Sequence, residues 1–429
     1  MSILEAQLPS EWTWQQVSDL YRITKKPRDV QFNACAAIPF VPMELVPLSG
    51  AELVNFEMRA PAQIASGTYF EKGDILLSKI TPSFENGKQG LANSVPATFG
   101  VASTEIIPLQ PTTAEVNRRL LFYYLLHPEI RALIAGKMEG STGRQRVPER
   151  VVLEFPLPNP PRGEQDKIAA VLWKIQRAIE VEEKLTATAC ELKQAAMRQL
   201  FTRGLRGESQ QETEIGPMPE SWRAVALGDL ARIGNGSTPL KGNAEYWTNG
   251  TIPWLTSAKV YDVTIKQADQ FVTSKAVEKC HLPRVKAGSV LIAITGQGKT
   301  LGNAAVTDIE TCVSQHIAYM QFYDESVNPH FIRLFLETRY DELRAIAQGG
   351  GSTKGALTCG FLKSYSVPLP ESDEQNDIVQ SLMTIERKIT VHERKSAALR
   401  DLFQTMLHKL MTGEIRVADL KIDTSEVAA

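Results

Sequence analysis

The chain has 429 residues, 43% of them hydrophobic and 22% charged, which suits two or three domains with their own cores and excludes long disorder. No apolar run approaches the eighteen or so residues of a membrane span, and residues 1–14 carry no basic stretch leading into an apolar one, so no signal peptide is expected. A net charge of −2 and a pI near 6.4 exclude a basic surface overall, so any nucleic-acid contact must be local or shared with a partner.

In chain order, LPSEWTWQQVSDL comes first, at residues 8–20. GDILLSKI at 73–80 is a Gly turn feeding a β-rich run, and STEI follows at 103–106. A helical stretch at 118–136 precedes the triplet Gly140-Ser141-Thr142. FPLP at 155–158 leads through Asn159-Pro160-Pro161 to Glu164-Gln165 and a long helical pattern. A short polar linker at 204–217 closes this half. The order then repeats about 210 residues on: MPESWRAVALGDL at 218–230, GSVLIAIT at 288–295, SQHI at 314–317 and a helical stretch at 329–347. Gly351-Ser352-Thr353, VPLP at 367–370, Glu374-Gln375 and a second long helix complete it. The expected division is a globular unit at 1–163, a helix at 164–203, the linker, a second globular unit at 218–373, a helix at 374–412 and a tail at 413–429. Short β runs mixed with helices make each globular unit α/β or α+β.

The two helical patterns share one frame. Ile168, Leu172, Ile175, Ile179, Glu182, Thr186, Ala189, Lys193, Ala196 and Leu200 alternate spacings of four and three. Ile378, Leu382, Ile385, Ile389, His392, Ser396, Leu399, Phe403, Met406 and Leu410 do the same, each 210 residues later. A sustained 3.5-residue period marks a coiled-coil seam, so two long antiparallel helices can cover each other's apolar stripes. Each runs about 38 residues, roughly 57 Å at 1.5 Å per residue.

Catalytic motifs fare poorly. Residues 293–300, AITGQGKT, fit a loose phosphate-binding loop, but Leu301-Gly302-Asn303 breaks the helix whose N-terminus would face phosphates. Asn159-Pro160-Pro161 is similar to an amino-methyltransferase motif, yet Arg162 stands where the base-stacking aromatic belongs. Cys312 and His316 are too few to hold a metal. The five scattered cysteines, without CxxC spacing, fit a reducing cytoplasm and no disulfide framework or zinc site. No catalytic residue, metal or cofactor is expected.

The duplicated order LPSEW/MPESW, GDILLSKI, GNGSTP at 234–239 with Glu245-Tyr246-Trp247 and Ile252-Pro253-Trp254, and the PLP-to-Glu-Gln-to-helix junctions resembles the specificity subunit of Type I restriction–modification enzymes over nearly the whole chain. The resemblance implies two target-recognition domains, each reading half of a bipartite site on double-stranded DNA. It also implies an antiparallel coiled coil that sets the spacer and docks two methyltransferase subunits, with translocase/nuclease subunits able to join. On this reading the chain is a non-catalytic adaptor. Polar loops are the expected DNA contacts, since Arg, Lys, Gln and Asn reach phosphates and base edges. In the first half these are Lys79, Ser83, Asn86, Lys88, Gln89, Ser141, Thr142, Arg144, Gln145 and Arg146. In the second they are Ser237, Lys241, Tyr246, Thr295, Gln297, Lys299, Ser352, Thr353 and Lys354. Because the halves differ between their anchors, two different half-sites are expected. The rival readings are a nucleotide-hydrolysing enzyme built on the Lys299 loop and a scaffold that binds no DNA.

Overall fold

The computed structural model describes residues 2–48, 51–141, 143–296, 298–349, 356–425 and 427. The chain divides into two units, one comprising Met1–Lys184 with His392–Ala429 and the other Leu185–Val391. Two long helices, α1 (Arg162–Arg203, 42 residues) and α2 (Ser372–Met411, 40 residues), each contribute one half to either unit. Both start two residues before the expected 164 and 374.

The first unit is built on a five-stranded sheet in the order Tyr21–Ile23, Ile106–Pro111, Ile75–Ser78, Gln89–Leu91, Ala51–Glu52. A four-stranded sheet adjoins it, in the order Glu57–Arg59, Ile38–Val41, Phe99–Ala102, Thr68–Glu71. The strand Ile75–Ser78 is buried at every position, which is why its run of apolar residues is unbroken rather than alternating. The predicted helical stretch at 118–136 is broken at His127-Pro128 into Arg118–Tyr124 and Pro128–Ala135, because Pro disfavours helical backbone in the residue before it.

The second unit repeats that topology. Its five-stranded sheet runs Ala231–Asn235, Ile317–Phe322, Ser289–Ala293, Ala304–Thr307, Thr264–Ile265. A three-stranded sheet of Gln270–Val272, Ile252–Leu255 and Cys312–Val313 stands beside it. Helices Pro329–Thr338 and Tyr340–Gly349 replace the single predicted stretch at 329–347. In each unit the strand just before the long helix (Pro156–Asn159 or Ser366–Leu369) pairs antiparallel with the strand after the Pro-Trp segment (Thr13–Gln16 or Arg223–Ala226).

The Glu-Gln that opens each long helix is a clamp. Trp12 Nε1 donates to Glu164 at 2.9 Å, and Trp222 Nε1 donates to Glu374 at 3.1 Å. Gln165 accepts from the Asn117 backbone N–H, and Gln375 from that of Asn328, each at 2.8 Å. Asn117 and Asn328 in turn cap the helices behind them through their side chains. The repeated letters therefore encode a repeated hydrogen-bond network, which buried polar groups require.

In the first unit the start of α1 and the end of α2 run side by side in opposite directions, with Ile168, Leu172, Phe403 and Leu410 in one core. In the second unit Leu200, Ile378, Leu382 and Ile385 lie together at the opposite ends. Ile175, Ile179, Leu200, Ile385, Ile389 and Leu399 are half-buried.

The stretch 204–217, expected as a plain linker, contains an antiparallel hairpin of Gln210–Thr213 with Gly216–Pro219. The tail is equally ordered. Arg416 pairs with Glu164 at 2.8 Å and with Glu11 at 2.9 Å, and Val417 and Val427 are buried in the first unit. Gly204 and Gly413 follow the two helices with φ of +60° and +74°; a Cβ on Gly413 would stand 2.5 Å from Pro9, so no side chain fits there.

Candidate nucleic-acid interface

In the first unit two of the predicted loops meet. The Lys79 carbonyl accepts from the Val147 N–H at 2.8 Å, and the Gln145 carbonyl accepts from the Thr81 N–H at 3.0 Å. This places Lys79 and the 83–88 loop on the same surface as Ser141, Arg144, Gln145 and Arg146. Gly140 and Gly143, at φ of +126° and +80°, make the tight turn that presents Ser141 and Arg144 to solvent. Arg146 forks onto Glu105, with contacts of 2.6 to 3.1 Å. The hydrogen bonds and charge of Arg146 hold the Glu105 carboxyl below the usual carboxylate range. Glu105 thus preorients a bidentate guanidinium and partly neutralises it.

Two residues of this set have other work. Gln89 is fully buried; it donates to the Phe122 carbonyl and accepts from Arg131, each at 2.6 Å. Its expected role as a DNA contact is withdrawn, because no base can reach it. The Lys88 ammonium donates to the Met43 carbonyl at 2.8 Å and is half-buried. Arg131, 7% exposed, also donates to the Phe84 and Leu125 carbonyls, so it ties the 83–89 loop to the helical layer. Alternating sequence patterns carried no sign of this, since a buried Arg looks like any surface Arg until its acceptors are known.

The second unit builds the equivalent junction. The Ile294 carbonyl accepts from the Leu357 N–H at 2.8 Å, and Thr295 bridges to Ala356. Thr295 Oγ1 lies 2.5 Å from His316 Nδ1. Ser237 is tied through its N–H to the Val313 carbonyl at 3.2 Å, on the other side of the 314–316 turn. His316, weighed in the sequence only as a metal ligand, is exposed on this surface, whereas Cys312 lies in the core with its thiol pushed up to about 11 by burial. Lys299 is exposed while its carbonyl accepts from Tyr340 Oη at 2.6 Å, and Lys241 is exposed. Tyr246 instead leans on the core of Ile252 and Trp254 and is half-buried. Thr142, Gln297, Ser352, Thr353 and Lys354 lie outside the described residues.

The Lys299 loop joins Ser289–Ala293 to Ala304–Thr307 as an antiparallel hairpin. The chain leaves this loop into a strand rather than opening a helix, so it lacks the strand-to-helix form of a phosphate-binding loop. Asn159 ends a strand and accepts from Gln165 at 2.9 Å, which makes Asn159-Pro160-Pro161 the entrance of α1. Among the described residues no cluster of three or more His, Cys, Asp or Glu side chains is arranged to hold a metal ion. None of the described helices is long and apolar enough to cross a membrane.

The duplicated α/β unit, closed each time by a long helix and carrying converging polar loops, is found in the proteins that give Type I restriction enzymes their DNA specificity. The family model of the Type I restriction modification DNA specificity domain matches twice, over residues 9–189 and 219–401, and the chain belongs to that family. The putative type I restriction enzyme MjaX specificity subunit of Methanocaldococcus jannaschii is 24% identical over 348 residues, covering 80% of this chain and 79% of its own. The EcoR124I/EcoR124II specificity subunit of Escherichia coli is 25% identical over 276 residues, covering 63% and 64%. The crystal structure of the Type-I restriction-modification system S subunit from M. genitalium has the same fold, with a TM-score of 0.60 and 16% identity over 93% of this chain and 96% of its own.

Proposed function

We propose that each globular unit reads one half of a bipartite, asymmetric DNA site as the specificity subunit of a Type I restriction–modification complex. The observation that carries this is the duplication of the loop junction, Lys79–Val147 in one family domain and Ile294–Leu357 in the other. The reading loops differ between the copies while the scaffold does not: Arg144 and Arg146 crowd the first, Thr295, His316 and Lys299 the second. Lys79, Ser83, Asn86, Ser141, Arg144, Gln145 and Arg146, with Ser237, Lys241, Thr295 and Lys299, form the proposed contact set. The domain limits follow: recognition domains at 1–163 and 218–373, with helices that serve as spacer and dock.

Partner docking is supported by exposed apolar residues in the middle of both helices. Val181 and Leu192 are 50% and 56% exposed, and their counterparts 210 residues on, Val391 and Leu402, are 59% and 45% exposed. A stripe repeated in this way suits two copies of one partner, the two methyltransferase subunits. Those subunits would share the phosphate contacts, in keeping with the near-neutral charge. A cytoplasmic location fits five cysteines that are all unpaired thiols.

The test is a methylome in a host without methylation, with the chain expressed with and without its methyltransferase partner. A bipartite asymmetric motif appearing only when both are present is the expected result. No motif, with both proteins soluble and associated, would point to a scaffold that binds no DNA; a palindrome would overturn the two unlike half-sites.

A further inference from the structure

Half of the seam positions do not distinguish one repeat from the other. Ile168 and Ile378, Leu172 and Leu382, Ile175 and Ile385, Ile179 and Ile389, Leu200 and Leu410 are the same residue type in both helices. The other five seam positions differ: Glu182, Thr186, Ala189, Lys193 and Ala196 stand against His392, Ser396, Leu399, Phe403 and Met406. The charges between the helices are different.

In the first unit Glu182, 4% exposed, lies 2.6 Å from His392 Nδ1 and 2.5 Å from Lys395 Nζ, and Glu183 pairs with Arg400. In the second unit Lys193 pairs with Glu386 at 2.6 Å, and Arg333, 2% exposed, reaches the same carboxylate at 2.8 Å. Burial pushes the Glu386 carboxyl up, but Arg333 and Lys193 together leave it below the usual range. No one of these pairs recurs in the other repeat. The residues 210 positions away are Leu185 for Lys395, Cys190 for Arg400, Gln176 for Glu386 and Phe403 for Lys193. Glu182 and His392 are themselves such counterparts, and they face each other.

The consequences for like pairing are direct. Two first repeats would bring Glu182 against Glu182, with Leu185 where Lys395 supplies the cation, and would leave Lys193 opposite Gln176. Two second repeats would bring His392 and Lys395 against themselves and set Arg333 and Glu386 beside Phe403. Like or unpaired charges at the shielded positions, Glu182, Lys193, Arg333 and Glu386, are penalised far more than the lost attraction, whereas Lys395 and Arg400, 61% and 62% exposed, add less. A single polar residue in an apolar seam is enough to select a partner helix.

We propose that these ion pairs are a pairing code that lets each helix accept only the unlike repeat, from the same chain or from a second copy, and bars pairing of like repeats. The proposal concerns pairing alone and does not rest on DNA reading. Its effect is to keep two different units in each assembly.

The test starts from the full chain with a protease site placed in the exposed turn at residues 205–207. The purified protein is cleaved in light and heavy isotope forms, mixed, and warmed toward its melting temperature until the labels scramble. Native mass spectrometry then counts the pairs. Random pairing gives half unlike and a quarter of each like complex; the code predicts like complexes below about a tenth of the total, and a random distribution overturns it. For fragments that never exchange, the uncleaved chain supplies the answer. His392→Glu with Lys395→Leu sets the first repeat's own residues opposite Glu182 and should lower Tm at pH 7.5 by several degrees. Adding Glu182→His re-forms the pair in reverse and should recover at least half of that loss. An unchanged Tm in the double variant, or no recovery in the triple, overturns the proposal.

Discussion

Asp74 is 1% exposed and accepts from the Glu71 N–H at 2.8 Å. Burial pushes its carboxyl up to about 6, and the Glu71 amide, Thr24 and Arg118 only partly offset this. The folded state therefore holds a proton between about pH 4 and 6 that the unfolded chain has lost. Stability falls as pH rises through that window, and the full cost is present above it. Asp74→Asn keeps an oxygen acceptor and removes the charge; urea unfolding should show a gain of about 1–2 kcal/mol at pH 7.5 and none at pH 4. His127 has the opposite slope. Burial first, then the His408 ring 3.1 Å away, pull it down to about 4 against the weak attraction of Glu129. Unfolded His127 takes a proton near 6.5, so this group costs the first unit nothing above that pH and weakens it as pH falls toward 4. His127→Gln should flatten the urea midpoint between pH 6.5 and 5; an unaltered slope would assign the acid sensitivity elsewhere. On the recognition surface, Arg144→Ala and Arg146→Ala should each weaken DNA binding by the assembled complex by about 1–3 kcal/mol. The salt dependence separates their roles: a residue on phosphate lowers the slope by about one, while a base reader changes the site instead.

At the scale of elements, the junction of Trp12, Glu164 and Arg416 fastens the start of α1, the 8–12 segment and the tail. Glu164→Ala leaves the buried Trp12 indole N–H without its acceptor and the Arg416 guanidinium, 34% exposed, with Glu11 alone, at a cost of about 1–3 kcal/mol in thermal unfolding. Glu374→Ala in the second unit removes only the Trp222 and Leu205 N–H contacts and should cost less, about 1–2 kcal/mol. The sequence made these junctions visible as repeated letters, and the long helices as a heptad frame, because a 3.5-residue period over that length has few other meanings. The helix break at His127-Pro128 was legible in Pro128 but was masked by the apolar stripe that continues through it, whereas the break at Arg339 has no such residue to mark it. The polar loops were found by composition, but Gln89 was misassigned because polarity does not reveal burial. The hairpin at 210–219 went unseen because QQETEIGPMP reads as a turn-rich linker, and its pairing depends on the unit it lies against.

Over the whole molecule, the stability of the first unit depends on the far end of the chain. Removing residues 413–429 takes away Arg416, Val417 and Val427 from the first unit and nothing from Leu185–Val391. Hydrogen exchange should quicken in the amides of Ile75–Ser78 and Arg118–Tyr124, while Ser289–Ala293 and Pro329–Thr338 stay as protected as before. Equal loosening of both units would show that they unfold as one.

The same arrangement bears on how the protein is made. Domains that are contiguous in sequence close as they leave the ribosome, in order of synthesis. Here the contiguous unit is the later one, Leu185–Val391, while the earlier one still lacks half of its helical layer. The unit begun first must therefore be finished last. A ribosome that stops short of residue 392 releases a chain whose trailing half is complete and whose leading half carries an open apolar seam, exposed to chaperones and proteases.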